Sequence, residues 1–140
     1  MMFHLLFVAT TAISHLISPT GKGEVLLSEQ QEGVVTLDGS FEGLAPGRHV
    51  LQLHAEGCSA ILKKGAGAHF NPIPTEGCDP SLAIVELAEF EASPEGKATI
   101  ASTIEGVYLS GSDSIVGHSL VLHSVGLQGI PPSCGRIEME

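Results

Sequence analysis

The chain has 140 residues, of which 43% are hydrophobic and only 4% are aromatic, and its formal net charge at pH 7 is −10. A chain of this length can form one domain with its own hydrophobic core, and the composition is globular rather than disordered. The excess of carboxylates disfavours binding to nucleic acid or to an anionic membrane, because both carry charge of the same sign. The sequence therefore predicts one folded domain that binds neither nucleic acid nor membrane.

The first element in chain order is an apolar segment over residues 3–13. It has the length of the hydrophobic region of a secretory signal peptide and is too short to span a membrane, and Ala12 and Ser14 have the small-residue spacing of a cleavage site. No Lys or Arg precedes the segment, so the alternative interpretation is a buried first strand. We favour the leader, and we expect residues 1–18 to be a signal peptide and residues 19–140 to be the folded domain of a secreted protein.

Short apolar or alternating segments then follow at a spacing of roughly ten residues, separated by turn residues such as Gly, Pro and Ser. We predict strands over residues 24–28, 33–41, 49–54, 97–104, 107–109, 118–125 and 134–139, and a short helix or a strand over 82–92. Residues 55–76 are Gly-rich and lack periodicity, which predicts a long loop that carries function. Seven or eight short strands predict an all-β sandwich or barrel.

Five histidines lie beyond the apolar N-terminal segment: His49, His54, His69, His118 and His123. Strand alternation places His49 and His54 on opposite faces and Gln52 on the face of His54, and it separates His118 from His123 in the same way. A single histidine on a strand is more often structural than a ligand. Three histidines from separate segments are, however, the usual donors of a copper or zinc site, and His54, His69 and His123 form such a set.

The three cysteines are Cys58, Cys78 and Cys134. In a secreted chain one pair is expected to be oxidised, and the sequence alone allows any of the three pairings, with one thiol left over. No CxxC pair is present, which excludes a zinc finger.

Four motifs in order over roughly residues 22–137 resemble the copper/zinc superoxide dismutase family: GLAPGRHVLQLH followed by GC, then GAHFNP, SGSDSIVGHSLVLH and a late CG. The resemblance implies an eight-stranded Greek-key β-barrel with a metal site on its outside. It also implies copper ligation by His54, His69 and His123, with Gln52 at the remaining ligand position as a weak or lost ligand. Cys58 and Cys134 match the family disulfide, which leaves Cys78 as the odd thiol.

The zinc half of the family pattern is missing from this sequence. No histidine occurs between residues 70 and 117, Glu86 falls where the family has its zinc-binding Asp, and only residues 124–133 separate His123 from Cys134. The family's substrate-guiding Arg falls on Pro131 or its neighbours. The chain resembles a secreted, copper-only subgroup in three features: the short loop, Glu86 and the N-terminal segment. We therefore expect the site to hold copper and no zinc. We expect His69 and Glu86 to be the catalytic residues, with Glu86 orienting the His69 ring.

The resemblance implies a copper-dependent enzyme that converts superoxide into oxygen and hydrogen peroxide by cycling between Cu(II) and Cu(I). Gln52 offers only an amide oxygen, a harder and weaker donor for copper than imidazole, so we expect weakened Cu(II) binding and impaired turnover. The alternative is a non-catalytic relative of the same fold that binds copper or another protein.

Overall fold

The structure is a computed structural model that describes residues 9–55, 57–58, 83–126 and 129–140, apart from the side chains of residues 83–85. The described residues form eight β-strands, all paired antiparallel. They are β1 (Thr10–Ile17), β2 (Lys22–Gln31), β3 (Val34–Glu42), β4 (Gly47–His54), β5 (Ala83–Ala92), β6 (Ala98–Glu105), β7 (Ser119–Ser124) and β8 (Ser133–Met139). They form a nearly closed barrel, and the predicted all-β Greek-key fold is confirmed.

The strands follow the order β5-β4-β7-β8-β1-β2-β3-β6 around the barrel. One half contains β4, β5, β7 and β8, and the other contains β1, β2, β3 and β6. The pairing of β1 with β8 joins the two halves, with Ala12 opposite Met139 at one end and Ile17 opposite Cys134 at the other. The first and last of the eight described strands are therefore neighbours at the centre of the sheet.

The core lies inside the barrel and follows from period-two alternation. In β3, for example, Val35, Leu37, Gly39 and Phe41 are buried while the residues that alternate with them are more exposed. Apolar side chains that recur every second residue meet on one face of a pleated strand, and burying that face is the main stabilising term. The largest fully buried aliphatic side chains are Leu16, Leu27, Leu37, Leu51, Leu53, Leu109, Leu120 and Ile137.

Strand β1 lies within the segment that the sequence led us to assign to a leader. Ala12, Ser14 and Leu16 on β1 are fully buried. The strand pairs with β2 along its whole length and with β8 on its other side. Strand β1 is therefore part of the sheet and precedes residue 19, the predicted domain boundary, and that boundary stays a prediction. Among the residues described, no helix combines the length and apolar character needed to cross a membrane.

The remaining strand predictions, apart from residues 107–109, hold with small shifts of the ends. Residues 82–92, for which a helix and a strand were both open, form strand β5. Residues 107–109 form no strand, and only an isolated bridge joins Tyr108 to Ser114. The predicted loop over residues 55–76 lies outside the described residues except for positions 55, 57 and 58.

A buried carboxylate fastens one end of the barrel. Glu29 is fully buried at the end of β2. Its Oε2 accepts a hydrogen bond from the backbone N–H of Gly33 at 2.9 Å. Its Oε1 accepts one from the N–H of Leu109 at 2.9 Å and one from Ser110 Oγ at 3.3 Å. The carboxylate thus ties the β2–β3 turn to the segment that follows β6.

Candidate metal centre

Strand β4 carries two polar side chains on its outer face. Leu51 and Leu53 point into the barrel core, so alternation directs Gln52 and His54 outwards. Both are nevertheless buried, with 5% and 3% of their surfaces exposed. Polar side chains buried on the outside of a barrel are unusual, because burial of a polar group is costly unless it finds partners. This outer face of β4 carries the first residues of the candidate site.

Strand β7 supplies the second histidine. Leu120 and Leu122 face the core, and His123 lies on the outer face, where it is also buried. Because β4 and β7 are paired, the His54 and His123 rings approach each other, with their centroids 6.0 Å apart and their planes tilted by 42°. That separation leaves room for one ion at about 2 Å from a nitrogen of each ring.

Gln52 contacts His54 directly. The Nε2–H of His54 donates a hydrogen bond to Gln52 Oε1 at 3.1 Å, and the two residues are adjacent on the same face of β4. The sequence placed these side chains on one face but did not predict the bond between them. An amide oxygen can only accept a hydrogen bond, so this contact fixes the proton on Nε2 of His54.

His49 lies on the other side of β4, as alternation predicts, and takes no part in this site. Its Nε2–H donates to the backbone carbonyl of Ala45 at 2.7 Å. Its ring stacks on Phe90 with centroids 5.9 Å apart, and Phe90 stacks in turn on Phe41 at 5.2 Å. The buried His49 ring is therefore a structural part of the barrel interior.

A disulfide between Cys58 and Cys134 borders the histidine pair. It is the pairing implied by the family resemblance, and it links residues 76 positions apart with their Cα atoms 5.7 Å apart. Cys134 lies opposite Val121 on the outer face and packs against it. Ser119 Oγ lies 3.7 Å from Cys58 Sγ, and Ser119 is the β7 partner of His54. The disulfide thus fixes the chain just after β4 against β8, beside the site.

Strand β5 brings acidic side chains to the edge of the site. A β-bulge between Leu51 and Gln52 sets Glu86 opposite Gln52, so that both lie on the outer face, and Glu86 is exposed. Further along the same face, Glu89 forms an ion pair with Arg48. With Glu86 and Glu89, the described charges on the β5 side of the site are mainly negative.

On the other side of the site, Arg136 is exposed on β8 opposite Ser119. Pro131 occupies the segment where the family's guiding Arg is expected.

The described residues supply two imidazoles and one amide oxygen. Within this part of the chain, no group of three or more His, Cys, Asp and Glu side chains is gathered in a way that could hold a metal ion. His69 and Cys78 lie outside the described residues. Two buried imidazoles on neighbouring strands suit a copper ion, whereas the amide oxygen of Gln52 is a poor substitute for a third imidazole.

Sequence reasoning missed the part that Ser119 and Val121 play around the site. Both are fully buried on the outer face of β7, beside the disulfide. Their even separation from His123 places them on its face, so alternation would have identified them. The fact that this outer face is buried could not be read from the pattern, which is equally consistent with a solvent-exposed face.

Comparison with known proteins identifies the family of the chain. The family described as copper/zinc superoxide dismutase matches residues 21–127 of the chain. A Cu-Zn superoxide dismutase from Onchocerca volvulus is 33% identical over 121 residues, which are 84% of this chain and 77% of that protein. A Cu-Zn superoxide dismutase 2 from Brassica juncea is 33% identical over 106 residues, 74% of this chain and 70% of that protein.

Two further comparisons concern an exported protein and the fold. An extracellular Cu-Zn superoxide dismutase from Brugia pahangi is 33% identical over 118 residues, 81% of this chain but only 59% of that protein. The crystal structure of the clock protein EA4 matches with a TM-score of 0.68 at 23% identity, over 99% of this chain and 100% of that one, and this likeness bears on the fold alone. On the extent of the family match and of the relatives at 33% identity, the chain belongs to the copper/zinc superoxide dismutase family.

Proposed function

We propose that this protein is a copper-dependent superoxide dismutase of the copper-only type, with turnover limited by Gln52. The observation that carries the proposal is the buried pair His54 and His123 on the outer face of β4 and β7, with ring centroids 6.0 Å apart. A core does not need two imidazoles there, and in a chain of this family they are suited to hold a metal.

In this proposal His54 and His123 hold copper together with His69, which the family pattern makes the third nitrogen donor, while Gln52 is a weak or lost ligand. Copper supplies one-electron chemistry: one superoxide is oxidised to oxygen, and a second is reduced and, with two protons, becomes hydrogen peroxide. His69 holds and delivers a proton close to the substrate. Glu86, on the outer face of β5 opposite Gln52, orients the His69 ring.

We further propose that the site takes no zinc. The proposal rests on the donor set, because the sequence has no histidine between residues 70 and 117 and has Glu86 at the position of the family's zinc-binding Asp. Three nitrogen donors suit Cu(I), whereas Cu(II) prefers four donors in a tetragonal arrangement. Replacement of the fourth imidazole by an amide oxygen therefore favours Cu(I) and raises the reduction potential.

A second candidate function is a non-catalytic relative that binds copper, or another protein, without useful turnover. The hydrogen bond from His54 to Gln52 favours it, since that bond engages a ring nitrogen that copper would need. The acidic outer face of β5 also favours this second candidate, because negative charge repels the superoxide anion and slows its approach to the site.

Secretion is likewise proposed. It is supported by the disulfide between Cys58 and Cys134, which is typical of an oxidising compartment, and by the extracellular relative from Brugia pahangi.

The decisive measurement is the decay of superoxide by copper-loaded protein, with copper and zinc content determined in parallel. We expect measurable turnover, a higher rate for Gln52→His, about one copper per chain and no stoichiometric zinc. His123→Gln should abolish turnover, whereas the matched control His118→Gln, at a residue preceding β7, should not. Copper binding without turnover in the unmodified chain would establish the second candidate, and no copper binding in any variant would refute both metal functions.

A further inference from the structure

The hydrogen bond between Gln52 and His54 bears on how the site accepts a metal. Gln52 Oε1 lies 3.1 Å from His54 Nε2, and both side chains are buried. The amide oxygen can only accept a hydrogen bond, so Nε2 of His54 carries the proton of this bond. A ring nitrogen that carries a proton cannot coordinate a metal ion. Gln52 itself occupies a ligand position of the family pattern, so the nitrogen that faces it is the one directed at the centre of the site.

We propose that Gln52 is an internal competitor of copper, whose side-chain oxygen holds the proton on the ligating nitrogen of His54 and closes the site by a hydrogen bond. This inference rests on the proposed copper site. For His54 to hold copper through Nε2, this hydrogen bond would have to break and the ring would carry its proton on Nδ1 instead, so that the imidazole would stay neutral. The position that supplies a ligand in the family thus opposes binding in this chain.

The proposed competition predicts the direction in which a change at Gln52 alters the affinity for Cu(I). An amide oxygen is a poor donor for Cu(I), so its loss removes little from the bound state. The buried hydrogen bond, by contrast, stabilises the copper-free state by an amount typical of such bonds. Removal of the Gln52 amide should therefore strengthen Cu(I) binding, whereas removal of a true ligand should weaken it.

The test compares Cu(I) affinity in the unmodified protein, Gln52→Leu and Gln30→Leu, by competition with a chromogenic Cu(I) chelator and with ascorbate to keep copper reduced. Gln52→Leu removes the amide and keeps similar bulk, and Gln30→Leu makes the same change at an exposed residue of β2. We expect Gln52→Leu to bind Cu(I) about fivefold more tightly, the equivalent of about 1 kcal/mol, and Gln30→Leu to be unchanged.

A second measurement needs neither copper nor a variant. The nitrogen chemical shifts of the His54 ring in the copper-free, unmodified protein should show the proton on Nε2. A proton on Nδ1 alone, or weaker Cu(I) binding by Gln52→Leu, would overturn the inference while leaving the proposed copper site intact. Failure of every variant to bind copper would instead overturn the proposed function, and the two failures are therefore distinguishable.

Discussion

At the scale of single residues, Glu29 is the clearest case of a polar group whose environment explains its burial. Its carboxylate accepts two backbone hydrogen bonds at 2.9 Å from two different segments, and a third from Ser110. A buried carboxylate is costly without such donors, and with them it becomes a fixed joint between segments far apart in sequence.

We predict that Glu29→Ala destabilises the protein by about 3 kcal/mol, because it leaves the N–H groups of Gly33 and Leu109 buried without this acceptor. Urea unfolding followed by circular dichroism measures the change. Glu32→Ala is the matched control, because Glu32 is an exposed glutamate in the adjacent β2–β3 turn, and it should change stability by less than about 0.5 kcal/mol. Equal effects of the two substitutions would contradict the role assigned to Glu29.

Single residues also show what sequence reasoning could and could not provide. Alternation alone separated His49 from Gln52 and His54, since the direction of a strand side chain depends only on position. The hydrogen bond between Gln52 and His54, and the stacking of His49 on Phe90, depend on rotamers and on neighbours from other strands. No pattern within one strand contains that information.

At the scale of elements, β1 shows that composition alone cannot distinguish a leader from a buried strand. An apolar stretch of eleven residues satisfies both the hydrophobic region of a leader and a buried strand, and the choice depends on partners elsewhere in the chain. In the structure β2 and β8 flank β1, and Ser14 is buried there although it belonged to the proposed cleavage pattern. Strand β5 was ambiguous for the same reason, and its pairing with β4 resolves it.

We predict that a chain beginning at Pro19 fails to fold, whereas a chain beginning at Ala9 unfolds cooperatively. Loss of β1 removes the strand that joins β8 to β2 in the sheet, together with the buried Leu16. We expect the resulting loss of stability to exceed the free energy of unfolding of such a domain, which is about 5–15 kcal/mol. Thermal unfolding by circular dichroism measures the difference.

Protein recovered from the culture medium would provide an independent check of the same point. Mass spectrometry of the N-terminus, on protein recovered from the medium of expressing cells, should find residues 10–17 present. A product that begins at residue 15 or 19 and is folded would show that β1 is dispensable.

At the scale of the whole molecule, net charge is the dominant feature. The formal charge is −10, and the described side chains on the β5 side of the site are mainly acidic. An acidic field repels superoxide at long range, and dissolved salt screens that repulsion over about 10 Å at 0.1 M.

We predict that the rate constant for superoxide decay by the copper-loaded protein rises about twofold or more between low and physiological ionic strength. A salt whose anion does not bind copper, such as sodium perchlorate, keeps the effect electrostatic. Gln52→His provides the measurement if turnover of the unmodified chain is too slow to follow. A rate that falls as salt is added would indicate local attraction that outweighs the net charge.

The pairing of β1 with β8 also determines when the two halves of the barrel can join during synthesis. Ala12 lies opposite Met139, so the contact that joins the two halves links the first and the last of the eight described strands. On the ribosome β1 and β2 emerge first as a hairpin whose outer edge has no partner until β8 is released. The two halves of the barrel can therefore join only after β8 has been released, and until then the nascent hairpin needs protection from pairing with other chains.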